Sequence, residues 1–416
     1  MVRSAALYMV IVIALIIGMI CSSLIMAAGF YRLQYNKHLR DQQLQQNIES
    51  GINILLHTQS APESQKLSLF GGDNDSVLLS RRPWGIFDIA VVRSFIQADT
   101  LDRVFTIASG IDSAKWGALY IIDEDRSISV SGKTAIKGNV FIPKAGIRPA
   151  YVDNQAYQGA KQIVEGHQYN SQKTLPALNS ARLQQLKSMA ADTAGAEKQL
   201  PAADSLNYNW LKPTHRFYLG KKICQLSNCQ IKGNAIILSD TTVTIDSTAH
   251  LEQVLIFAKA ISVASGFKGK CQLLATDSVS VGARCEFNYP SAIGLIRFND
   301  HYQSPARISI GDNCRLTGAI FAYEQHPGQV LPLIDLGKNV WLKGQLYVAG
   351  NIGLHSGIQI LGSVFANRFI YTSGYTRYEN YLINVRLDAP ALSPYYLSSD
   401  LLPVSSQTQK PLEWLN

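Results

Sequence analysis

Apolar residues recur along the later two thirds of the chain at a fixed interval. Val243, Ile261 and Val279 are 18 residues apart, and so are Ile245, Val263 and Val281. The same interval separates Ile334 from Ile352 and Leu336 from Leu354. Taking the first apolar residue of each repeat as its start, starts fall at Ile128, Ile223, Val243, Ile261, Val279, Ile308, Ile334 and Ile352. Residues two, eight, twelve and fourteen further on are mostly apolar, and glycine recurs ten further on at Gly138, Gly233, Gly318, Gly344 and Gly362. Alternation with period two puts the apolar set on one face of short strands, and the glycines mark tight corners. A period of this length predicts one turn of a β-solenoid. The expected fold is therefore mainly β: a parallel β-helix with a rung of about 18 residues, spanning 128–376. The step from Ile308 to Ile334 is 26 residues, which is 18 plus an eight-residue insert around 324–330. The proline-bearing stretch 143–222 interrupts the array and is read as an insertion, with one amphipathic helix from Leu178 to Met189.

The N-terminal pattern is different. Ala5 to Gly29 carries no charge and is mostly Ile, Leu, Val, Met and Ala. That length suffices to cross a hydrocarbon core of roughly 30 Å. It exceeds the apolar core of a cleaved signal peptide, about 7–15 residues, and lacks a small-x-small site, so an uncleaved anchor is expected. The apolar run continues without a breaker through Leu33, Leu39, Leu44, Ile48 and Ile52, which predicts a helical stalk leaving the membrane. The expected organisation is thus an anchor and stalk over 1–55, a small α+β connecting region over 56–127, the solenoid with its insertion, and a capping tail over 377–416. Arg3 lies before the span and Arg32, Lys37 and Arg40 after it. The positive-inside rule alone favours a cytoplasmic head.

Composition narrows the function classes. Charged residues are 16% of the 416, apolar residues 47%, and the net charge is +8. No run of Lys and Arg reads as a nucleic-acid stripe, so no nucleic-acid partner is expected. Membrane lipid through residues 5–29 and protein partners or self-assembly in the envelope are the expected contacts.

Candidate chemistry is sparse. Of the six cysteines, Cys21 lies in the apolar span, and Cys224, Cys229, Cys271, Cys285 and Cys314 lie beyond it. Cys229, Cys285 and Cys314 share one column, six residues past their starts, and read as small apolar residues filling the core. Cys224 and Cys229 are spaced poorly for zinc, and no metal site is expected. Gly132-Lys133-Thr134 ends like a phosphate-binding loop, but Ser127 stands where the first glycine is required. His301, His326 and His355 are the histidines available to a general-base mechanism of the acyltransferase kind. Asp240, Asp246, Asp277, Asp312 and Asp335 are scattered over corners, where solvation and turn formation are the expected roles. Catalytic, cofactor-binding and metal-binding residues are accordingly expected to be none, and the protein is not expected to be an enzyme.

Two resemblances bear on this reading. The helix carrying Gln46-Asn47-Ile48-Glu49-Ser50-Gly51-Ile52-Asn53 resembles the N-terminal segment of PilX-type minor pilins, over about residues 1–55. That resemblance implies an exported C-terminal part. The steps Ile231-Lys-Gly-Asn-Ala235, Leu342-Lys-Gly-Gln-Leu346 and Ile360-Leu-Gly-Ser-Val364 resemble bactofilins, polymer-forming β-helix proteins that join end to end through open rungs. The expected function is a non-enzymatic, membrane-anchored envelope structural or assembly protein, such as a pilin-like subunit or surface scaffold. It would be a single-pass inner-membrane protein with its C-terminal domain periplasmic or extracellular. The alternatives are a membrane-tethered cytoplasmic scaffold of bactofilin type and a carbohydrate-active enzyme or acyltransferase.

Overall fold

The computed structural model describes residues 2–58, 64–69, 75–201, 204–299, 304–373 and 376–415. The chain forms two compact units. The first comprises Met1–Arg82, Ala90–Phe105 and Trp414–Asn416, and the second Pro83–Ile89 and Thr106–Glu413.

The first unit is built on helix α1 (Val2–His57), which runs unbroken for 56 residues. Strands β1 (Gln65–Leu67), β2 (Asp75–Trp84), β3 (Phe87–Ile96) and β4 (Asp99–Ile111) follow. β1 pairs antiparallel with β2, Lys66 opposite Leu78. The last part of α1 packs on this sheet through Leu44, Asn47, Ile48, Gly51 and Leu55, all buried. Their spacing places them on one helical face. Gly51 permits the approach, because a Cβ there would lie 2.7 Å from Val92 and 2.9 Å from Leu79. Arg81 closes the helix end by donating to the carbonyls of Leu55 (3.1 Å) and Thr58 (2.7 Å). These are acceptors the helix leaves unpaired at its C-terminus.

The second unit holds the short strands β5 (Leu119–Ile121), β6 (Ile128–Ser131), β7 (Ala135–Lys137), β8 (Val140–Ile142), β9 (Ile147–Pro149), β10 (Val164–Glu165) and β11 (Gln168–Asn170). Helix α2 (Ser180–Ala191) follows, capped by the Asn179 side chain accepting from the Ala181 N–H. Next come β12 (Ser205–Tyr208), β13 (His215–Tyr218), β14 (Cys224–Leu226), β15 (Gln230–Gly233) and the longer β16 (Ala235–Ile245), β17 (His250–Val263), β18 (Lys268–Val281) and β19 (Glu286–Arg297). The series continues with β20 (Arg307–Ile310), β21 (Arg315–Glu324), β22 (Leu333–Leu336), β23 (Trp341–Leu354) and β24 (Gln359–Ser373). It ends with β25 (Thr376–Glu379), β26 (Tyr381–Ile383), β27 (Arg386–Asp388) and β28 (Ser405–Trp414), the last of which lies beside β4 in a five-stranded sheet.

The expected β-helix of uniform 18-residue rungs requires correction. Pairing runs from β18 to β19, β21, β23, β22 and β20 and returns to β18, every step parallel. The result is a closed six-stranded parallel barrel with further strands added to it, not an open solenoid. The reason is that inward alternation and a constant offset are satisfied by a closed barrel as well as by an open stack. Val243 does lie opposite Ile261, and Ile261 opposite Val279. Bulges between Ser239 and Thr242, and between Ala258 and Ala260, then shift the register and let long strands carry pairing from one side to another.

Strand order also departs from chain order. The segment beginning at Ile128 does not precede the later repeats in space. β5 pairs with β24, β7 with β27 and β6 with β26, so it follows the last of them. β9, β10 and β11 add to β6, β7 and β8 beyond that. The chain then travels the length of the array, and β12 and β13 pair with β15 and β16 at the opposite end. Both ends therefore carry added strands from the stretch 143–222. The bactofilin likeness fails on the same ground, since end-to-end joining needs open terminal strands.

Within this unit, Gln272 fastens Pro83–Ile89. Its amide donates to the Trp84 carbonyl at 3.0 Å and accepts from the Ile86 N–H at 2.8 Å. Arg182 on α2, 3% exposed, donates to Asp88 at 2.6 Å and to both oxygens of Asp400 at 2.8 and 2.9 Å. A buried guanidinium held by two carboxylates is satisfied in charge and geometry, and it locks α2 in place.

Candidate functional site

Two features stand out as functional candidates. The first is the free part of α1. Every residue from Ala6 to Leu39 is exposed. The helix is long and apolar enough to cross a membrane, with mean hydropathy 2.8 in its most apolar window, none of it buried. Leu24 is 63% exposed, Ile25 75% and Met26 78%. At about 25 cal/mol per Å² of apolar surface, a stripe of this kind is not stable in water. Phe30, Tyr31 and Tyr35 directly follow the apolar run, a composition that suits a membrane–water boundary.

The second is a column of outward-facing residues that crosses the barrel. Register places Tyr169 beside Phe141, then Tyr120, Phe365, Tyr347 and Phe321. It continues through Gly294, Leu274, Phe257 and Leu238 to Tyr218. Rings stack along its first part, with centroids 5.2 Å apart for Phe141–Tyr169, 5.5 Å for Tyr120–Phe141 and 5.6 Å for Tyr120–Phe365. The segment leading into α2 lies over the middle. Tyr347 donates to the Pro176 carbonyl at 3.1 Å, and Tyr120 accepts from the Gln172 N–H at 3.2 Å. Burial raises the Tyr347 phenol well above its ordinary range, so it stays a donor. Alongside α2 the column stays buried, Leu238 and Leu274 2% and Phe257 8% exposed, and a cleft of about 890 Å³ lies between Leu186 and Lys187 on one side and Tyr218, Phe257, Asp277 and Phe298 on the other.

The cysteines lie mostly in the barrel core. Cys271 is 2% exposed, Cys285 fully buried and Cys314 1% exposed, while Cys229 is half-buried. Burial pushes the Cys224 thiol up to about 11 and Cys271 up to about 12, which keeps both protonated and unreactive. Cys285 and Cys314 are neighbours. The Cys285 N–H meets the Cys314 sulfur at 3.4 Å, and the Cys314 thiol donates to the Gly282 carbonyl at 3.0 Å. Their mutual hydrogen bond lowers the Cys285 thiol and raises that of Cys314. Among the described residues, no group of three or more His, Cys, Asp or Glu is placed to hold a metal.

Among the described residues, the two candidate histidines His326 and His355 lie on different loops. His301 lies outside the described residues. His326 is exposed on the loop after β21. His355 approaches Asp335 at 3.6 Å, and Asp335 also accepts from Arg307 at 2.8 Å. The aspartates serve corners and ion pairs. The Thr248 N–H and hydroxyl donate to Asp246 at 3.0 and 2.8 Å, and this lowers its carboxyl. Asp312 accepts from the Lys338 N–H at 2.7 Å. Asp240 accepts from the Tyr218 hydroxyl at 2.5 Å, and Asp277 faces Lys259 at 3.7 Å and Arg297 at 3.9 Å.

No family model matches the chain, and no curated protein matches it. Among solved structures, the competence-associated pilin ComZ from Thermus thermophilus is similar at 10% identity with a TM-score of 0.28, covering 85% of this chain and 86% of that one. A likeness of that size carries no argument for fold or function.

Two features escaped the sequence reading. One is the outward column, because its spacing is irregular: bulges and loops change the count between successive members. The other had a visible signal. The fifth residue past a start is left-handed at Asn228, Gly266, Arg284, Asn313, Asn339 and Gly357, with φ between 48° and 85°. Asn and Gly dominate there because they tolerate that backbone best.

Proposed function

We propose that the protein is a non-enzymatic, single-pass envelope component that assembles with like subunits through its N-terminal helix, in the manner of a pilin-like subunit. The observation that carries this reading is the division of α1. One continuous helix is apolar and bare over Ala6–Gly29 and packs its far end into a folded unit. A membrane covers such a surface before assembly, and neighbouring helices cover it afterwards. The resemblance of residues 46–53 to PilX-type minor pilins supports an exported C-terminal part.

The test has two readouts in cells expressing a C-terminally tagged chain. Protease added to spheroplasts should digest the tag, and mild oxidation should link neighbouring chains through Cys21, which is exposed in the span. A tag that stays protected places the head in the cytoplasm and overturns the exported reading. A digested tag with Cys21 unlinked at every expression level overturns assembly through the helix.

A further inference from the structure

We propose that the cleft between α2 and the far end of the outward column binds a neutral oligosaccharide at its half-exposed rim. Its volume of about 890 Å³ lies within the ~300–1,000 Å³ usual for ligand sites. Its floor is the column itself, made of Leu238, Phe257 and Leu274 with Ile296 beside it. One wall is α2, with Leu186 and Ala190. The rim is polar and carries Tyr218, Asp240, Lys259, Thr276, Asp277 and Phe298.

The charges on this rim are already matched. Asp240 holds the Tyr218 hydroxyl at 2.5 Å. Asp277 sits between Lys259 and Arg297. Lys187 lies over the Phe298 ring, 5.2 Å from its centroid. An anionic ligand meets two carboxylates, and a cationic one must displace Lys259 or the Tyr218 hydroxyl. A fatty acyl chain would strip water from the rim hydroxyls and carboxylates and offer them no hydrogen bond in return, which costs free energy. A peptide joining as a strand finds no free backbone edge, because β16, β17 and β18 are paired on both sides at this place. A sugar satisfies both parts of the surface. Its C–H face rests on Tyr218 and Phe298, and its hydroxyls donate to Asp240 and Asp277 and exchange hydrogen bonds with Thr276.

The experiment uses the full chain in an amine-oxide detergent, so that no sugar headgroup competes. Saturation-transfer NMR and titration calorimetry are run against maltohexaose, cellohexaose, xylohexaose, mannohexaose and chitohexaose, with dodecanoate and inorganic phosphate as the apolar and anionic probes. The expected result is saturable binding of at least one hexaose and none of dodecanoate or phosphate. Phe298→Ala should weaken that binding roughly tenfold, the size of one lost aromatic contact. Thr276→Ala, a half-exposed change of small volume, should weaken it roughly threefold with an unchanged thermal melt. No binding of any of the five hexaoses at millimolar concentration overturns the proposal. So does hexaose binding that neither variant weakens, and so does competition of a bound hexaose by dodecanoate. None of these results bears on the membrane topology of the head, so the pilin-like reading stands or falls separately.

Discussion

The two ends of α1 are one unbroken helix and meet two different environments. From Ala6 to Leu39 all residues face outward, whatever their polarity. From Leu44 to Leu55 the apolar positions gather on one face and are buried. Helix propensity does not distinguish these stretches, because Leu and Ile occur in both. The difference lies in the pattern. An apolar residue at every position around the helix leaves no polar face for water, and only lipid or other helices match it. A stripe at spacings of three and four leaves a solvated back, and a sheet matches it.

The largest effects are expected where the packed end meets the sheet. Leu55 is fully buried, and Leu55→Ala should cost about 3 kcal/mol, read as a lowered denaturation midpoint with an unchanged slope. Gly51→Leu should cost at least as much, because its side chain would enter space held by Val92, Leu79 and Val77. If either variant melts like the parent, the far end of α1 is not docked as described. At the bare end, Leu15→Arg should leave the folded units intact and weaken membrane association in a flotation assay. A central arginine costs about 2.5–3.5 kcal/mol on insertion scales, which the remaining Leu, Ile and Val of the span only partly outweigh. A variant that floats like the parent even when a second arginine replaces Ile20 would show that the span is held by something other than its apolar surface.

A smaller effect of opposite sign sharpens the contrast. Asn47 is fully buried against the sheet, yet neither of its side-chain amide atoms has a hydrogen-bond partner among the described residues. A buried amide without partners carries its full desolvation cost. Asn47→Leu should therefore stabilise the chain by roughly 1–2 kcal/mol in thermal or urea unfolding. A loss of stability would mean that the amide is satisfied in solution, by a bound water for instance.

These residues also show how far the sequence is legible. The span at Ala5–Gly29 and the continuation of its helix through Ile52 follow from composition and the absence of breakers, both local properties. The 18-residue offset is legible because Val243, Ile261 and Val279 are true neighbours in consecutive strands. Closure of the barrel is not legible. It depends on which side of a long strand pairs next, and bulges at Ser239–Thr242 and Glu252–Val254 set that without leaving a strong residue signature. The displacement of Ile128–Ser131 from the start of the array to its far end is hidden for a related reason. Its apolar pattern matches the other repeats equally well, and only pairing with Tyr381–Ile383 tells where it belongs. The cleft shares this difficulty, since Tyr218 and Phe257 flank Leu238 only through strand register, and α2 brings Leu186 and Lys187 to the same place from elsewhere in the chain.

The smallest effect concerns the border between the two parts of α1. Arg40 is the first residue after the bare stretch with any burial, and its guanidinium meets Asp99 at 2.7 Å, the two side chains being 33% and 37% exposed. The position invites the idea that this ion pair sets where docking begins. The energetics argue otherwise. A pair this exposed gains little from its Coulomb attraction and is screened by salt, so Arg40→Ala should shift unfolding by no more than about 0.5 kcal/mol. That shift should vanish in concentrated salt. A loss above about 1.5 kcal/mol, unchanged by salt, would mean that charge fixes the border between the bare and docked helix. The small expected value instead assigns that border to Leu44, Ile48 and the close approach at Gly51, where apolar contact begins.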